Sequence, residues 1–470
     1  MTERAAWGAL TSRIEGELIL PGSPDFDVAY PTLNARFDDV QPRAVVRCSS
    51  PDDVAEVIRF AGRHGMEVGT RSGGHCFGGR SSTEGLLVDV APMQSIEVSG
   101  GAVTVGGGTR LGEVNGSLIQ HDLAIPGGSC PSVGIAGLTL GGGLGIIGRR
   151  HGLASDHLLG VQIVLADGGI VECDEHHEED LFWALRGAGA GNFGVVTSLT
   201  FRTVPAPAAT NFRLAWPFSQ AAAAIDAWQS WAPAAPEELS ASLVIGASAD
   251  PEEPPSVDLI GVMLGPESEA TDLVDVLVGR ARSEPDVVFL SHMSFEETTR
   301  YWGERAAHEP TEGQPPGWEL RGHRFIKSEF FQRPLAPEVI EELLENLTGD
   351  RVAGQSRELD FSPWGGAYNR MRADATAFVH RDERFWLKHA TEVAPGAPAA
   401  TKEAAHDWVA RSWGIVHPSG TGRVFPNFPD PDLKDWARAY FGTNLERLLS
   451  IKARYDPGNL FRFRQSLPVR

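Results

Sequence analysis

Apolar and polar positions switch between two periods over the first two hundred residues. Ala44-Val45-Val46-Arg47-Cys48 is a short apolar run and predicts a buried strand. Ser49-Ser50-Pro51-Asp52-Asp53 then opens a helix, with proline early and acids in the first turn. Val54, Val57, Ile58 and Ala61 follow at helical spacing. Residues 66–69, 86–90 and 102–105 predict further strands. Residues 161–165 and 170–173 predict a hairpin turned by Ala166-Asp167-Gly168-Gly169. One or two helical turns are expected over 180–186 and a strand over 195–201. A strand–helix–strand unit followed by more strands predicts an α+β domain.

The pattern changes after Pro205-Ala206-Pro207. Strands at 242–245 and 257–263 alternate with helices at 219–231, 267–280 and 337–346. Pro-rich, acidic stretches at 250–255 and 309–317 predict surface loops. This predicts a second α+β domain, an antiparallel sheet with helices on one face. Residues 432–455 read as helix, and 455–463 as a turn and a final extended segment.

Three glycine-rich stretches interrupt the first region. Arg71-Ser72-Gly73-Gly74-His75-Cys76-Phe77-Gly78-Gly79 surrounds one imidazole with residues that let backbone approach a ligand closely. Successive N–H groups there can form an anion nest, and Arg71 adds a cation. Residues 126–145 hold eight glycines in twenty, too many for an ordinary helix or strand. A backbone lying against a flat ligand would account for them. The third stretch is Gly187-Ala188-Gly189-Ala190-Gly191-Asn192-Phe193-Gly194. Gly106-Gly107-Gly108-Thr109-Arg110-Leu111-Gly112 fails the G-x-G-x-x-G spacing and lacks a βαβ unit with a distal acid, which excludes a Rossmann site. No Walker A lysine follows a glycine.

Charge and cysteine usage narrow the function classes. Lys plus Arg number 41 against 62 Asp plus Glu, a formal charge of −21, which argues against a nucleic-acid partner. An anionic cofactor would be held by backbone N–H groups and a few arginines. Cys48, Cys76, Cys130 and Cys173 form no C-x-x-C pair, so neither a metal site nor a disulfide scaffold is predicted. The N-terminus lacks an apolar signal segment and no apolar run is long enough to span a membrane, which predicts a cytoplasmic protein. Imidazole and thiolate are nucleophiles that can bond an oxidised flavin. His75 and Cys130 are 55 residues apart, so only the fold could bring them together.

The motifs R-S-G-G-H at 71–75, G-x-C-x-x-V-G at 128–134, L-G-G-G-x-G at 140–145, F-W-A-L-R-G at 182–187, G-N-F-G-V-V-T at 191–197 and Y-D-P-x-N-x-F at 455–461 are similar to those of berberine-bridge-enzyme-like FAD-linked oxidases. The resemblance spans nearly the whole chain, strongly over 40–204 and 425–467. It implies a PCMH-type FAD-binding domain over 1–204, a substrate domain over 205–420, and a segment over 421–470 returning to the FAD domain. It implies bicovalent FAD, with His75 on the flavin 8α-methyl and Cys130 on C6. Arg71, Ser72, Gly73 and Gly74 would cradle the diphosphate. Gly194 and Val196 would line the adenosine side, and Val133 the approach of O2. Cys76, Phe77, Gly128, Gly134, Gly137, Gly141, Gly142 and Asn427 complete the expected cofactor-binding set. The implied activity is oxidation of an alcohol, sugar, amine or phenolic secondary metabolite, with O2 giving H2O2. The implied assembly is a monomer or homodimer whose partners are a small-molecule substrate and O2.

One departure bears on mechanism. Relatives often place a tyrosine in Y-x-N-Y or Y-x-N-F to take the substrate proton, whereas this chain has Phe425-Pro426-Asn427-Phe428, and Phe77 where a tyrosine is sometimes found. Phenylalanine does not titrate. Period-two alternation puts Phe385, Leu387 and His389 on one strand face. Resemblance to plant relatives with a catalytic Glu or Gln on that strand points to His389 as base, with a reference pKa of about 6.5, and to Tyr368 second. Two alternatives stay open: a dehydrogenase using another acceptor, and, suggested by the missing tyrosines, a flavin-carrying protein that sequesters a ligand.

Overall fold

The computed structural model describes residues 3–306 and 321–469. The first described strands are β1 (Glu17–Ile19), β2 (Ala44–Arg47), β3 (Val68–Arg71), β4 (Leu86–Asp89), β5 (Ile96–Ser99), β6 (Ala102–Gly106) and β7 (Leu123–Ala124). They are followed by β8 (Leu158–Val164), β9 (Ile170–Asp174), β10 (Val195–Arg202) and β11 (Val204–Pro205). One sheet has the order β1-β2-β4-β3, with β4 parallel to both β2 and β3. A second has the order β5-β6-β10-β8-β9 and is antiparallel, and β7 pairs with β11.

The helix Pro51–His64 forms as its pattern predicts. Ser50 accepts from the Asp53 N–H at its start, and Gly65 ends it at φ +61. Val54, Val57, Ile58 and Ala61 are buried. Cys48 and Cys173 sit in the core as small apolar side chains. The loop Arg71–Gly79 leaves β3 directly, because the strand runs two residues beyond its expected end at 69.

The remaining strands are β12 (Ala209–Pro217), β13 (Leu239–Ala247), β14 (Ser256–Met263), β15 (Val287–Met293), β16 (His323–Phe331), β17 (Gln355–Pro363) and β18 (Phe385–Val393). They form one antiparallel sheet, β15-β12-β14-β13-β17-β18-β16. Its apolar face packs on the helices Ala221–Trp231, Glu267–Ala281, Pro337–Thr348 and Ala399–Val416, in one core with Trp228, Leu359, Phe361, Leu387 and Trp408. Helices on one face were expected. The connector 250–255 is a turn between β13 and β14. The connector 309–317 lies outside the described residues. Among those described, no helix is long and apolar enough to cross a membrane.

The tail differs in detail from its reading. Residues 432–455 form two helices, Trp436–Phe441 and Leu445–Tyr455, separated at Gly442, which adopts φ +47. No strand follows. Instead Asp456 accepts the Leu460 and Phe461 N–H groups at 2.8 and 2.9 Å. Lys452 Nζ lies 2.6 Å from Asp456 and donates to the carbonyls of Asn192 (2.7 Å) and Phe461 (2.6 Å). Asn192 in turn accepts the Leu467 N–H. The tail motif thus clamps the third glycine loop, and its apolar residues Tyr440, Leu448 and Leu467 join the core of the antiparallel first-half sheet.

Both ions of this clamp are fully buried. Lys452→Ala leaves Asp456 without its counter-charge, which costs about 3–5 kcal/mol. Urea melts should show the loss, with a fall in midpoint far larger than for exposed Arg372→Ala.

Candidate functional site

A cavity of about 600 Å3 lies between the glycine loops and the polar face of the seven-stranded sheet. Its floor is built by close contact of two loops. A Cβ at Gly73 would fall on the backbone nitrogen of Gly134, and one at Gly134 would fall on Ser72 and Gly73. The second loop is also laced to residues 109–112. Leu111 N–H bonds Val133 O, Gly112 N–H bonds Pro131 O, and Ile135 N–H bonds Thr109 O, all at 2.9 Å. Ser72 Oγ donates to Gly107 O at 2.7 Å. The stretch 106–112, without a Rossmann role, is therefore the seam that both loops lie against.

This contact joins the two nucleophiles. His75 Nε2 is 3.0 Å from Ser132 Oγ, and Ser132 Oγ is 3.6 Å from Cys130 Sγ. Burial, with the Arg324 and Arg110 charges, pushes the His75 imidazole down to about 4, against a smaller pull from hydrogen bonding to Ser132. The ring is neutral near pH 7 and keeps a lone pair for bonding. Ser132 was missed in the sequence, although it stands two residues after Cys130 in the same loop.

The cavity wall contains Arg71, Ser72, Gly73, Gly74, His75, Cys76 and Phe77 of the first loop, and Cys130, Val133, Gly134 and Gly137 of the second. Gly194, Val196 and Asn427 are also on it. Gly137 has open space where a Cβ would project, as a flat ligand requires. Cavity size, the close-packed glycine cradle and the paired nucleophiles together fit a large flat cofactor such as FAD.

Several expected residues have other roles. Gly128, Gly141 and Gly142 are off the wall. A Cβ at Gly128 would press on Leu138 and Leu111, one at Gly141 on Asn427, and one at Gly142 on Phe378, so these glycines serve packing. Asn427 Nδ2 donates to Leu138 O at 2.9 Å and ties the tail to the second loop. The Arg71 guanidinium is bonded to Asp89 at 2.7 Å, to Tyr30 O at 2.9 Å and to Ala29 O, so its charge is spent inside the fold and only its backbone serves the site.

Neither expected base reaches the cavity. His389 is fully buried on the helical side of β18, with Nδ1 bonded to Ser412 Oγ at 2.7 Å. Burial and Lys327 push it down to about 3. Tyr368 donates to Gly145 O at 3.3 Å and stacks on Trp364, and burial raises its phenol above the usual range. The alternation along β18 was right but the face was wrong. Phe385 and Leu387 mark the side packed on helices, so Lys388, Ala390 and Glu392 face the cavity. Arg324 of β16 and Ser356 and Glu358 of β17 join them there. The opposite wall is apolar: Phe77, Phe425 and Phe428 lie together, with Phe428 5.7 Å from Phe77 and 5.3 Å from Phe425.

Comparison with known proteins places this geometry. Residues 42–174 match the FAD binding domain family and residues 424–468 the berberine and berberine-like family. The FAD-linked oxidoreductase YvdP of Bacillus subtilis is 31% identical, over 97% of this chain and 99% of its own. The chitooligosaccharide oxidase of Gibberella zeae is 28% identical, over 91% of this chain and 87% of its own. The solved structure of BBE-like 1 from Physcomitrella patens superposes with a TM-score of 0.89 at 26% identity, covering 99% of each chain.

The two-loop contact gives a direct expectation. Gly73→Ala overpacks the seam at a cost of about 1–3 kcal/mol. The purified variant should show a clearly lower ratio of flavin to protein absorbance. Gly62→Ala, whose Cβ meets nothing within 4 Å, should leave that ratio unchanged.

Proposed function

The chain belongs to the berberine-bridge-enzyme-like FAD-linked oxidoreductases, and from that premise we propose that it is an oxidase holding its flavin by two covalent bonds, through His75 and Cys130. Its substrate is an alcohol, sugar, amine or phenolic compound, and O2 is the final acceptor, leaving as H2O2. The observation that carries this reading is the His75–Ser132–Cys130 chain on the wall of the cavity. Two nucleophiles from distant loops, bridged by one hydroxyl, are what double attachment to one ring requires.

When bound, FAD accepts hydride from the substrate carbon and returns the electrons to O2. The protein's own residues do the rest. Backbone of residues 72–74 and 134 holds the cofactor, the two loops being brought together by a contact that side chains at Gly73 and Gly134 would block. His75, kept neutral by burial and by nearby arginines, offers its lone pair. Ser132 orients His75 and the Cys130 thiol at once. Phe77, Phe425 and Phe428 form an apolar wall that excludes water from one side of the substrate. The charged wall of the seven-stranded sheet orients it from the other. Sugar-oxidising relatives, among them the chitooligosaccharide oxidase, are consistent with a polar, hydroxyl-bearing substrate on that wall.

Acid-precipitated wild-type protein should give a yellow pellet, and the His75→Ala, Cys130→Ala double variant a colourless one. Ser132→Ala should slow covalent uptake of FAD by the apoprotein about five- to tenfold, the worth of one hydrogen bond. In stopped flow, reduced enzyme mixed with air should reoxidise much faster than free flavin. Reoxidation at the free-flavin rate would make it a dehydrogenase.

A further inference from the structure

The cations on the cavity wall are not equivalent. Arg71 is spent on Asp89 and on backbone carbonyls. Arg324 is 2.8 Å from Glu392, and Lys388 lies between Glu358 and Asp360 at 2.9 and 3.0 Å. Two guanidiniums on the wall touch no carboxylate among the described residues: Arg80 and Arg305. Arg80 belongs to the loop that follows His75. It lies over the rings of Phe463 and Tyr440, 5.0 and 5.7 Å from their centres, against the C-terminal segment. Arg305 comes from a different element.

That element is the helix Phe295–Ala306, which packs on β12 and β15. Thr298, Trp302 and Arg305 follow at i, i+4 and i+7 and so share one of its faces. Asn211 of β12 fixes this face. Its Nδ2 donates to Thr298 Oγ1 and its Oδ1 accepts from Trp302 Nε1, both at 2.8 Å. Asn211 and Thr298 are fully buried. Tyr301 stacks on Phe289 of β15 with ring centres 5.7 Å apart, and the Arg305 guanidinium lies 5.7 Å from the Tyr301 ring centre. The helix also rests on the second glycine loop. A Cβ at Gly303 would stand 3.4 Å from Pro131 Cγ and 4.0 Å from Ser129 O, and these two residues flank Cys130. Arg305, two residues beyond Gly303, is thus held beside the loop that carries Cys130. The residues expected on the adenosine side, Gly194 and Val196, belong to the third loop and the strand after it.

The Arg305 guanidinium has a side to offer. Its Nε is closed off from water and has no acceptor among the described residues. With Nε covered, the two Nη groups are what the side chain can turn to the cavity. Their parallel N–H donors match the two oxygens of a carboxylate. Arg324 and Lys388 already face carboxylates, so an incoming anion is drawn most strongly to Arg305.

We propose that Arg305 is a specificity-determining residue that binds a carboxylate of the substrate, so that the substrate class is a hydroxy acid: an alcohol or sugar that also carries a carboxylate. The proposal rests on the FAD-oxidase reading above and names the substrate class for that same site. The carboxylate is bound and released unchanged, and oxidation takes place at the hydroxyl carbon as already described. Phe77, Phe425 and Phe428 cover the apolar body of such a molecule. Arg305 sets its direction in the cavity.

The test titrates the holoenzyme with benzoate and with benzamide, its uncharged counterpart, by calorimetry. Wild type should bind benzoate about tenfold tighter than benzamide or better, and Arg305→Gln should weaken benzoate about ten- to a hundredfold while leaving benzamide unchanged. Arg305→Lys should keep all of the flavin and part of the preference, because an ammonium supplies the charge without the fork. That separates lost recognition from a folding defect. Arg80→Gln should leave the preference unchanged. In anaerobic bleaching by hydroxy acids paired with their methyl esters, the acids should reduce the flavin at lower concentration. Arg305→Gln should raise their KM with little change in kcat. Equal binding of benzoate and benzamide by wild type, a preference that survives Arg305→Gln, or methyl esters that bleach as well as their acids would overturn the proposal. Wild-type protein that carries no flavin would instead overturn the reading on which it rests, and calorimetry measures the benzoate preference either way.

Discussion

The contact of backbone on backbone between Gly73 and Gly134 is the constraint on which the site depends. The two loops come from distant parts of the chain, and only two residues without side chains let them touch. Once they touch, Ser132 reaches both His75 and Cys130. The stretch 106–112 holds the second loop in place through three backbone hydrogen bonds. The buried Lys452–Asp456 pair pins the third loop from the C-terminal end. Three loops that look alike in the sequence thus have different duties. All three reach the cavity wall, the first two carry the nucleophiles, and part of the second serves only to pack.

The two sides of the cavity divide the chemistry. The glycine side offers nucleophiles, bare backbone and a phenylalanine wall. The sheet side offers ion pairs: Arg324 with Glu392, and Lys388 with Glu358 and Asp360. A chain with a formal charge of −21 still gathers cations on the wall of the cofactor cavity. Burial first, and then the Arg324 and Arg110 charges, hold the His75 imidazole down. Through Arg324, electrostatics connects the sheet wall to His75.

Much of this was legible in the sequence because its signals were local. The helix Pro51–His64, the β8–β9 hairpin and the motif series each depend on residues near one another, and each formed where expected. His75 and Cys130 were legible as chemistry, since glycine stretches around a nucleophile have few structural explanations. What failed was anything that depended on which way a strand faces. Period-two alternation along β18 gives two faces but does not label them. Phe385 and Leu387 carried the label, because an apolar pair on such a sheet belongs against the helices. His389 followed them into the core, and Lys388 went to the cavity. Glycines 128, 141 and 142 misled for a related reason. Close approach to Leu138, Asn427 or Phe378 leaves the same mark in a sequence as close approach to a ligand.

The central claim is that the two touching loops hold one FAD at two points. Its most direct measurement is peptide mass spectrometry of denatured, protease-digested protein purified with its flavin. The account predicts one species in which the peptide containing His75 and the peptide containing Cys130 are joined through a single FAD. Recovery of both peptides at their unmodified masses, with the flavin released in full, would contradict it.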